Sequence, residues 1–268
     1  MEKKKALKRR PLRETIRLAF TRTCKQILTI DLVRYLIALP RFIYFAKILR
    51  RVKVYKGDKR FISDNTIYHN FPKWNSLVVI RSNLLIRPLS IIDPVYTKIE
   101  QLHVLSIGPK AEGEILNLIG YGFSPKKIRG LDLVSYSPYV DVGDMHNLPY
   151  HDNSFDVVIS GWVLQGYTNN PKRAAQEMLR VVKNKGIIAI GIGWVPKSHK
   201  DRLSKLRGYS FERYLDNVQD ILDLFGKEAI DHIYLSQDLT KEGEQREFGQ
   251  DLLLIFSVKK ESTSEIKG

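Results

Sequence analysis

From residue 102 onward, short apolar runs alternate with longer amphipathic stretches. "LHVLSIG" is an apolar run closed by a glycine and predicts a buried parallel strand. "EGEILNLIGYG" predicts a helix ended by Gly120 or Gly122. Further strands are expected at "KKIRGLDLV", "YVDVGD", "SFDVVIS" and "GIIAIGIGW". Between the last two lies the clearest helix of the chain, "NPKRAAQEMLRVVKNKG". Asn170 suits its cap, Pro171 its first turn and Gly186 the position just past its end. Ala174, Ala175, Met178, Leu179 and Val182 would form its buried stripe. "SFERYLDNVQDILDLFG" predicts another helix, and "DHIYLS" with "DLLLIFSVKK" a terminal antiparallel pair. Strands alternating with helices imply an α/β fold, a mostly parallel sheet with helices on both faces.

The pattern before residue 102 is different. "DLVRYLIALPRFIYFAKILRRVKVY" is helical in period, and Pro40 is expected to break it into two short helices. After the proline, Phe42, Phe45, Ile48, Leu49 and Val52 recur on one side, with Lys47, Arg50 and Arg51 on the other. Charged residues interrupt the apolar run too often for it to span a bilayer. Residues 56–76 read as a linker or flap, and "RPLSIIDPVYTKIEQL" as a lead-in with a short helix after Pro94. The expected divisions are a basic amphipathic extension over 1–60, a flap and lead-in helix over 61–101, the α/β domain over 102–260 and a flexible tail over 261–268.

Charge sharpens that division. Residues 1–60 hold 19 Lys/Arg against four acids, while the other 208 residues balance 25 basic with 25 acidic groups. The whole excess of +15 therefore sits on the extension. An apolar stripe beside cations is how a helix lies in a membrane interface, so an anionic membrane surface reached through residues 1–53 is one expected partner. Packing on the body is the alternative, and nucleic acid ranks third, since no groove-reading or base-stacking motif accompanies the run. One cysteine, Cys24, excludes an internal disulfide and a cysteine-rich zinc site, and a reducing cytoplasmic compartment is expected. The six histidines show no metal-ligand spacing, and no metal is expected.

In open α/β sheets a ligand sits beyond the carboxyl ends of the strands. Those ends carry Gly108 to Gly113, Asp132, Asp144, and Gly161 with Trp162. Glycine lets a ligand approach the backbone. A carboxylate closing the second strand can accept from both ribose hydroxyls. Asp144 beside Met145 offers an adenine an acceptor and a soft apolar wall.

The run "GDMHNLPYHDNSFDVVISGWVLQGYTNNPKRAAQEMLRVVKNKGIIAIG" resembles class I S-adenosylmethionine-dependent methyltransferases, in particular the type-11 methyltransferase domain, over about 103–193. The resemblance implies a Rossmann-like sheet and S-adenosylmethionine as cofactor. It also implies that Gly108, Pro109 and Gly113 border the methionine part, and that Asp132 with Leu133 binds the ribose. Asp144 and Met145 would hold the adenine, and Trp162 would line the reaction face. The chain departs from the family pattern at Ser106, where an acid is usual, and at Lys110, where a glycine is usual. One extra residue precedes Gly113. Only eleven residues separate Asp132 from Asp144, so "LVSYSPYVDVG" is expected to replace a helix by a loop, with Tyr136 and Tyr139 lidding the adenine side. Lys110 is expected to face solvent or the cofactor's carboxylate.

The expected activity is methyl transfer to an oxygen or nitrogen of an acceptor, such as a lipid-linked sugar or surface polysaccharide at a membrane. His146, His151 and Tyr167 are the candidate bases, in that order. A scaffold with a degenerate cofactor loop, a nicotinamide oxidoreductase and a nucleic-acid methyltransferase are the alternatives.

Overall fold

The computed structural model describes residues 23–63, 66–207, 215–238 and 249–260. The opening Lys/Arg run and the tail over 261–268 lie outside the described residues, as does the start of the "SFERY" helix.

The four residues of β2 (Val104–Ile107) are all buried, because helices cover both faces of the sheet at its centre. On one side β2 pairs in parallel with β3 (Ile128–Asp132), which pairs with β5 (Val140–Val142). On the other it pairs with β6 (Phe155–Gly161), then β7 (Val182–Gly193). The expected terminal pair is β8 (Ile230–Gln237) with β9 (Asp251–Val258), and β9 inserts between β7 and β8. The order β5-β3-β2-β6-β7-β9-β8 has one antiparallel strand, β9. Strand order reverses at β2, so the carboxyl ends of β2, β3 and β6 frame a crevice there.

Two helices behave largely as their sequences predict. α5 (Glu112–Gly120) follows β2 directly. α6 (Pro171–Val181) is capped by the Asn170 side chain, which accepts from the Arg173 N–H, and buries Ala174, Ala175, Met178 and Val181. It ends earlier than expected. Val182 already pairs with Phe155, so strand pairing overrides the helical pattern and Gly186 lies inside β7. A helix over Val218–Phe225 opens with an Asn217–Asp220 capping box.

Before the domain, α1 (Asp31–Phe42) runs through Pro40 and widens into a π-helical turn over Ile43–Ile48. The expected break at Pro40 is thus a widening, held by packing of the residues around it. The expected stripe divides too: Phe42 is buried and Phe45 half-buried, whereas Ile48 and Leu49 are exposed. The strand pair β1 (Lys53–Val54) and β4 (Val134–Ser135) joins this region to the loop after β3. Next come α2 (Thr66–His69), α3 (Ser82–Ile91) and α4 (Asp93–Tyr96); the short helix expected after Pro94 begins one residue before it and includes it.

Residues 133–139 form no helix, as the short spacing predicts, and α1 fills the vacated place. Ala38, Phe42 and Ala46 join one core cluster with Ile115, Ile119, Tyr136 and Val140. The Phe42 ring meets Tyr136 edge-on at 5.3 Å, and the Arg41 guanidinium lies 5.5 Å from the Tyr139 ring centre. Neither tyrosine lids an adenine side. Both are spent on holding α1.

Polar contacts fix α1 as well. Arg34 is fully buried, and its Nη1 donates to Asn117 Oδ1 at 2.7 Å and to the Leu28 carbonyl at 2.9 Å; Nη2 pairs with Asp31. Arg41 binds the buried Glu112 carboxylate at 2.5 and 3.1 Å. A buried carboxylate or guanidinium stripped of its partner costs several kcal/mol.

Gly113 lets the preceding segment close down on α5. A Cβ there would meet the Leu77 carbonyl oxygen at 2.3 Å and the Val78 Cα at 2.8 Å. Gly113→Ala is expected to lower the melting temperature by roughly 3–8 °C, the cost of overpacking against backbone. A melt followed by circular dichroism checks it.

Candidate functional site

A cavity of about 780 Å³ opens at the switch point, near the upper end of the volume that small-molecule sites occupy. β2 supplies Ile107 and Gly108, β3 supplies Leu131, Asp132 and Leu133, and the loop after β5 supplies Gly143, Asp144, Met145 and His146. Gly161, Trp162, Val163 and Tyr167 come from the end of β6 and beyond. The opposite wall comes from the flap: Ile62, Thr66, His69 and Asn70, then Val78 to Arg81, Asn83 and Leu84.

Most of the sequence-derived candidates converge here. Gly108 has φ +70°, and a Cβ on it would meet Val163 Cγ1 at 2.5 Å, so glycine serves both the turn and the close approach. Trp162 also adopts a left-handed backbone, φ +60°. Its indole N–H donates to Asp251 Oδ1 at 2.7 Å, and Arg81 stacks on its ring at 4.9 Å. The ring is therefore locked against the cavity. Asp144 Oδ1 accepts from the His146 N–H at 3.1 Å and lies 2.6 Å from Nδ1 of the same histidine. Oδ2 of Asp144 takes no hydrogen bond from the described residues and remains available for an amino group.

Four candidates do something else. Pro109 is buried and packs against β3 beside Gly130, not into the cavity. Gly113 admits the Leu77–Val78 backbone and does not border the cavity. His146 lines the cavity, but its Nε2 is engaged by Thr168 Oγ1 at 2.5 Å and its Nδ1 by Asp144, so it orients that acid. His151 is exposed and lies away from the cavity. Tyr167 lines the cavity, with its hydroxyl 3.1 Å from His69 Nε2.

Asp132 is the best-held group of all. Oδ1 accepts from Leu133 N at 2.7 Å and Asn70 Nδ2 at 2.8 Å, and Oδ2 from Lys110 N at 2.9 Å. Each carboxylate oxygen offers about two acceptor sites, so Asn70 occupies a position that a ribose hydroxyl would use. Burial nevertheless dominates, pushing the Asp132 carboxyl up to about 6 against the pull of these donors.

Sequence reasoning missed Glu114, His69, Asn70 and Thr66. Glu114 has a legible signal. Ser106 stands where the family places an acid, and the Ser106 hydroxyl donates to Glu114 Oε1 at 2.5 Å, so the carboxylate has moved from strand to helix. Burial, with the nearby Asp132 charge also raising it, brings Glu114 up to about 7. The three flap residues had none, because nothing in "DNTIYHNF" marks which side chains turn inward.

The strand order and the switch-point crevice are those of the class I methyltransferase fold. Residues 112–190 match the family model described as a methyltransferase domain. A demethylmenaquinone methyltransferase of Desulfitobacterium hafniense is 37% identical over 82 residues, covering 28% of this chain and 32% of that protein. An uncharacterised protein of Methanocaldococcus jannaschii is 27% identical over 100 residues, covering 36% and 48%. The chain thus spans about a third and about half of these curated relatives. A S-adenosylmethionine-dependent methyltransferase of Mesorhizobium loti aligns at a TM-score of 0.47 and 12% identity, over 66% of this chain and 97% of that one. One of Thermotoga maritima aligns at 0.44 and 19%, over 67% and 94%. Over residues 112–190 the chain is thus similar to a methyltransferase domain, and solved proteins of similar fold are described as S-adenosylmethionine-dependent.

The cavity fits that group on its own evidence. Among the described residues Asp144 has an oxygen to spare, and Thr66 Oγ1 is buried on the opposite wall without a partner. Two buried carboxyls, Glu114 and Asp132, lie where a positively charged ligand would be welcome.

Both carboxyls are raised above their unfolded values, so between about pH 4 and 7 the folded state holds more protons than the unfolded one. Stability therefore falls as pH rises through that window. Two outcomes follow. The melting temperature of the ligand-free protein declines from pH 5 to 7.5, and Glu114→Gln flattens the decline. Calorimetry gives tighter S-adenosylmethionine binding at pH 7.5 than at 5.5, with a smaller change for S-adenosylhomocysteine, whose sulfur is uncharged.

Proposed function

We propose that the protein transfers a methyl group from S-adenosylmethionine to an oxygen or nitrogen of an acceptor presented at a membrane surface, such as a lipid-linked sugar. When bound, the cofactor supplies an electrophilic methyl on a positively charged sulfur. The chain's own residues align and shield. Asp144 and Met145 would hold the adenine, Asp132 and Leu133 the ribose, and the Gly108 turn the methionine part, with Glu114 adding negative charge beside them. Trp162, pinned by Asp251 and Arg81, keeps water from the reaction face. Tyr167 and His69 face each other at 3.1 Å, and Nε2 of His69 would receive the proton of an acceptor hydroxyl, directly or through the Tyr167 hydroxyl, which passes its own proton on to the imidazole.

The membrane half of the reading is carried by one observation: the cavity wall continues into exposed apolar surface. Ile80 and Leu84 line the cavity and are 67% and 47% exposed. Asn83, between them in α3, lies 3.4 Å from Asp31 at the start of α1. From there an exposed apolar row runs along α1 and its π turn through Leu32, Leu36, Tyr44 and Ile48. Lys47, Arg50 and Arg51 are exposed at its end. Each basic group near an anionic leaflet adds about 1 kcal/mol of attraction. Among the described residues no helix is long and apolar enough to cross a membrane, so the row would lie in the interface.

Two measurements test the two halves. Calorimetric titration should give micromolar binding of S-adenosylhomocysteine that Asp132→Ala weakens at least tenfold; absence of binding by the folded wild type would sink the catalytic reading. Co-sedimentation with phosphatidylglycerol vesicles should fall severalfold in a Leu36→Asp, Ile48→Asp double variant of unchanged melting temperature. Equal sedimentation of the two proteins would remove the membrane reading and leave the acceptor soluble.

A further inference from the structure

Lys110 is the residue the proposed function does not use, and its position is unusual in three ways. It sits in the turn after β2 with φ +59°, a backbone conformation that disfavours a side chain and costs nothing for glycine. Its own N–H is fixed by Asp132 Oδ2 at 2.9 Å, so the strained conformation is held in place. Its side chain then turns into the cavity, where Nζ lies 3.4 Å from His69 Nε2.

The ammonium there has cationic company and no carboxylate in contact. Lys110 belongs to none of the ion pairs among the described residues. Burial lowers its pKa, the Lys73 charge lowers it further, and Asp132 partly offsets both. The other groups facing this corner are polar. The Tyr167 hydroxyl lies 3.1 Å from the same His69 nitrogen. Thr66, one turn before His69 on the same face of α2, keeps in the cavity wall a buried hydroxyl with no partner among the described residues. A half-buried cation without a counter-ion, beside an unused donor, is what an anion site looks like before its ligand arrives.

The geometry points to a phosphate-binding subsite formed by the Lys110 ammonium and the Thr66 hydroxyl, next to His69 and Tyr167, which takes a phosphate group of the methyl acceptor. Lys110 reaches from the glycine turn toward the flap, where its Nζ and the Tyr167 hydroxyl meet the same His69 nitrogen. Charge balance supports this assignment. A lysine facing a sulfonium repels it, and a phosphate between the two neutralises both. Acceptor and charged cofactor would then bind with positive coupling, which by linkage must be reciprocal. The class of acceptor is therefore a phosphate ester, either a lipid headgroup or a free phosphorylated molecule. Assigning the phosphate to the methyl acceptor rests on the methyl-transfer reading; the subsite itself does not.

The test is calorimetry on the full chain saturated with S-adenosylhomocysteine, titrated with inorganic phosphate and with water-soluble dibutanoyl phosphatidate. Lys110→Met and Lys110→Gly are run beside the wild type. The glycine variant removes the ammonium and relieves the positive φ, so it should melt no lower than the wild type. Wild-type binding weakened at least tenfold in both variants, with S-adenosylhomocysteine affinity within threefold, supports the subsite. Phosphate binding unchanged in the variants, or absent from the wild type with both probes, overturns it. A parallel tenfold loss of S-adenosylhomocysteine affinity also overturns it, because Lys110 would then serve the cofactor's carboxylate. Tighter binding of the phosphatidate than of inorganic phosphate assigns the subsite to a lipid headgroup; equal binding assigns it to a free phosphate. Phosphate binding that depends on Lys110 in a protein that binds no S-adenosylhomocysteine would leave the subsite standing and remove the methyl-transfer reading alone.

Discussion

One buried carboxylate ties three segments that are distant in sequence. Asp132 accepts from the turn after β2 through Lys110 N, from its own strand end through Leu133 N, and from the flap through Asn70. A carboxylate buried without a cation in contact is costly, and hydrogen bonds to its charged form are what make it tolerable. The arrangement fixes the left-handed turn at Lys110 and brings the face of α2 over the cavity. Most of the site's shape follows from it. The turn loses the family's usual glycine, yet the loop stays in place because its N–H has somewhere to go.

The second organising fact is the missing helix between β3 and β5. A parallel sheet left bare on one face would expose apolar residues, so something must cover it. Here the cover comes from the N-terminal segment, through Ala38, Phe42 and Ala46, and two buried polar ties lock it on. The same segment brings the flap within reach of the switch point. A shortened crossover and an added N-terminal region are thus two sides of one substitution.

The α/β domain was legible because its signals are local and redundant. Strand runs, the Asn170 cap and the short spacing between Asp132 and Asp144 each report on their own neighbourhood. So were the strand-end residues Gly108, Asp132, Leu133, Asp144, Met145 and Trp162, since topology alone carries strand ends to the crevice. What failed were readings that depend on distant partners. Tyr136 and Tyr139 were free to be a lid until α1 arrived to occupy them. Gly113 resembled a cofactor glycine, but its small size serves Leu77 and Val78. His146 stood first among the bases, and Thr168 with Asp144 takes both its nitrogens. Thr66, His69 and Asn70 sit on a single helical turn in a polar stretch, too short for any period to show which side is inside.

The buried and exposed residues of α1 and its π turn interleave at every turn. Arg34, Ala38, Phe42 and Ala46 point to the core, while Leu32, Leu36, Tyr44 and Ile48 point away from it. The seam between folding and outward contact therefore runs lengthwise along one helix and does not cross the chain at any residue. No cut separates the outward row from the buried one, since removing one row removes the other. The phase of a substitution, more than its place in the sequence, decides whether it damages the fold or the surface it offers.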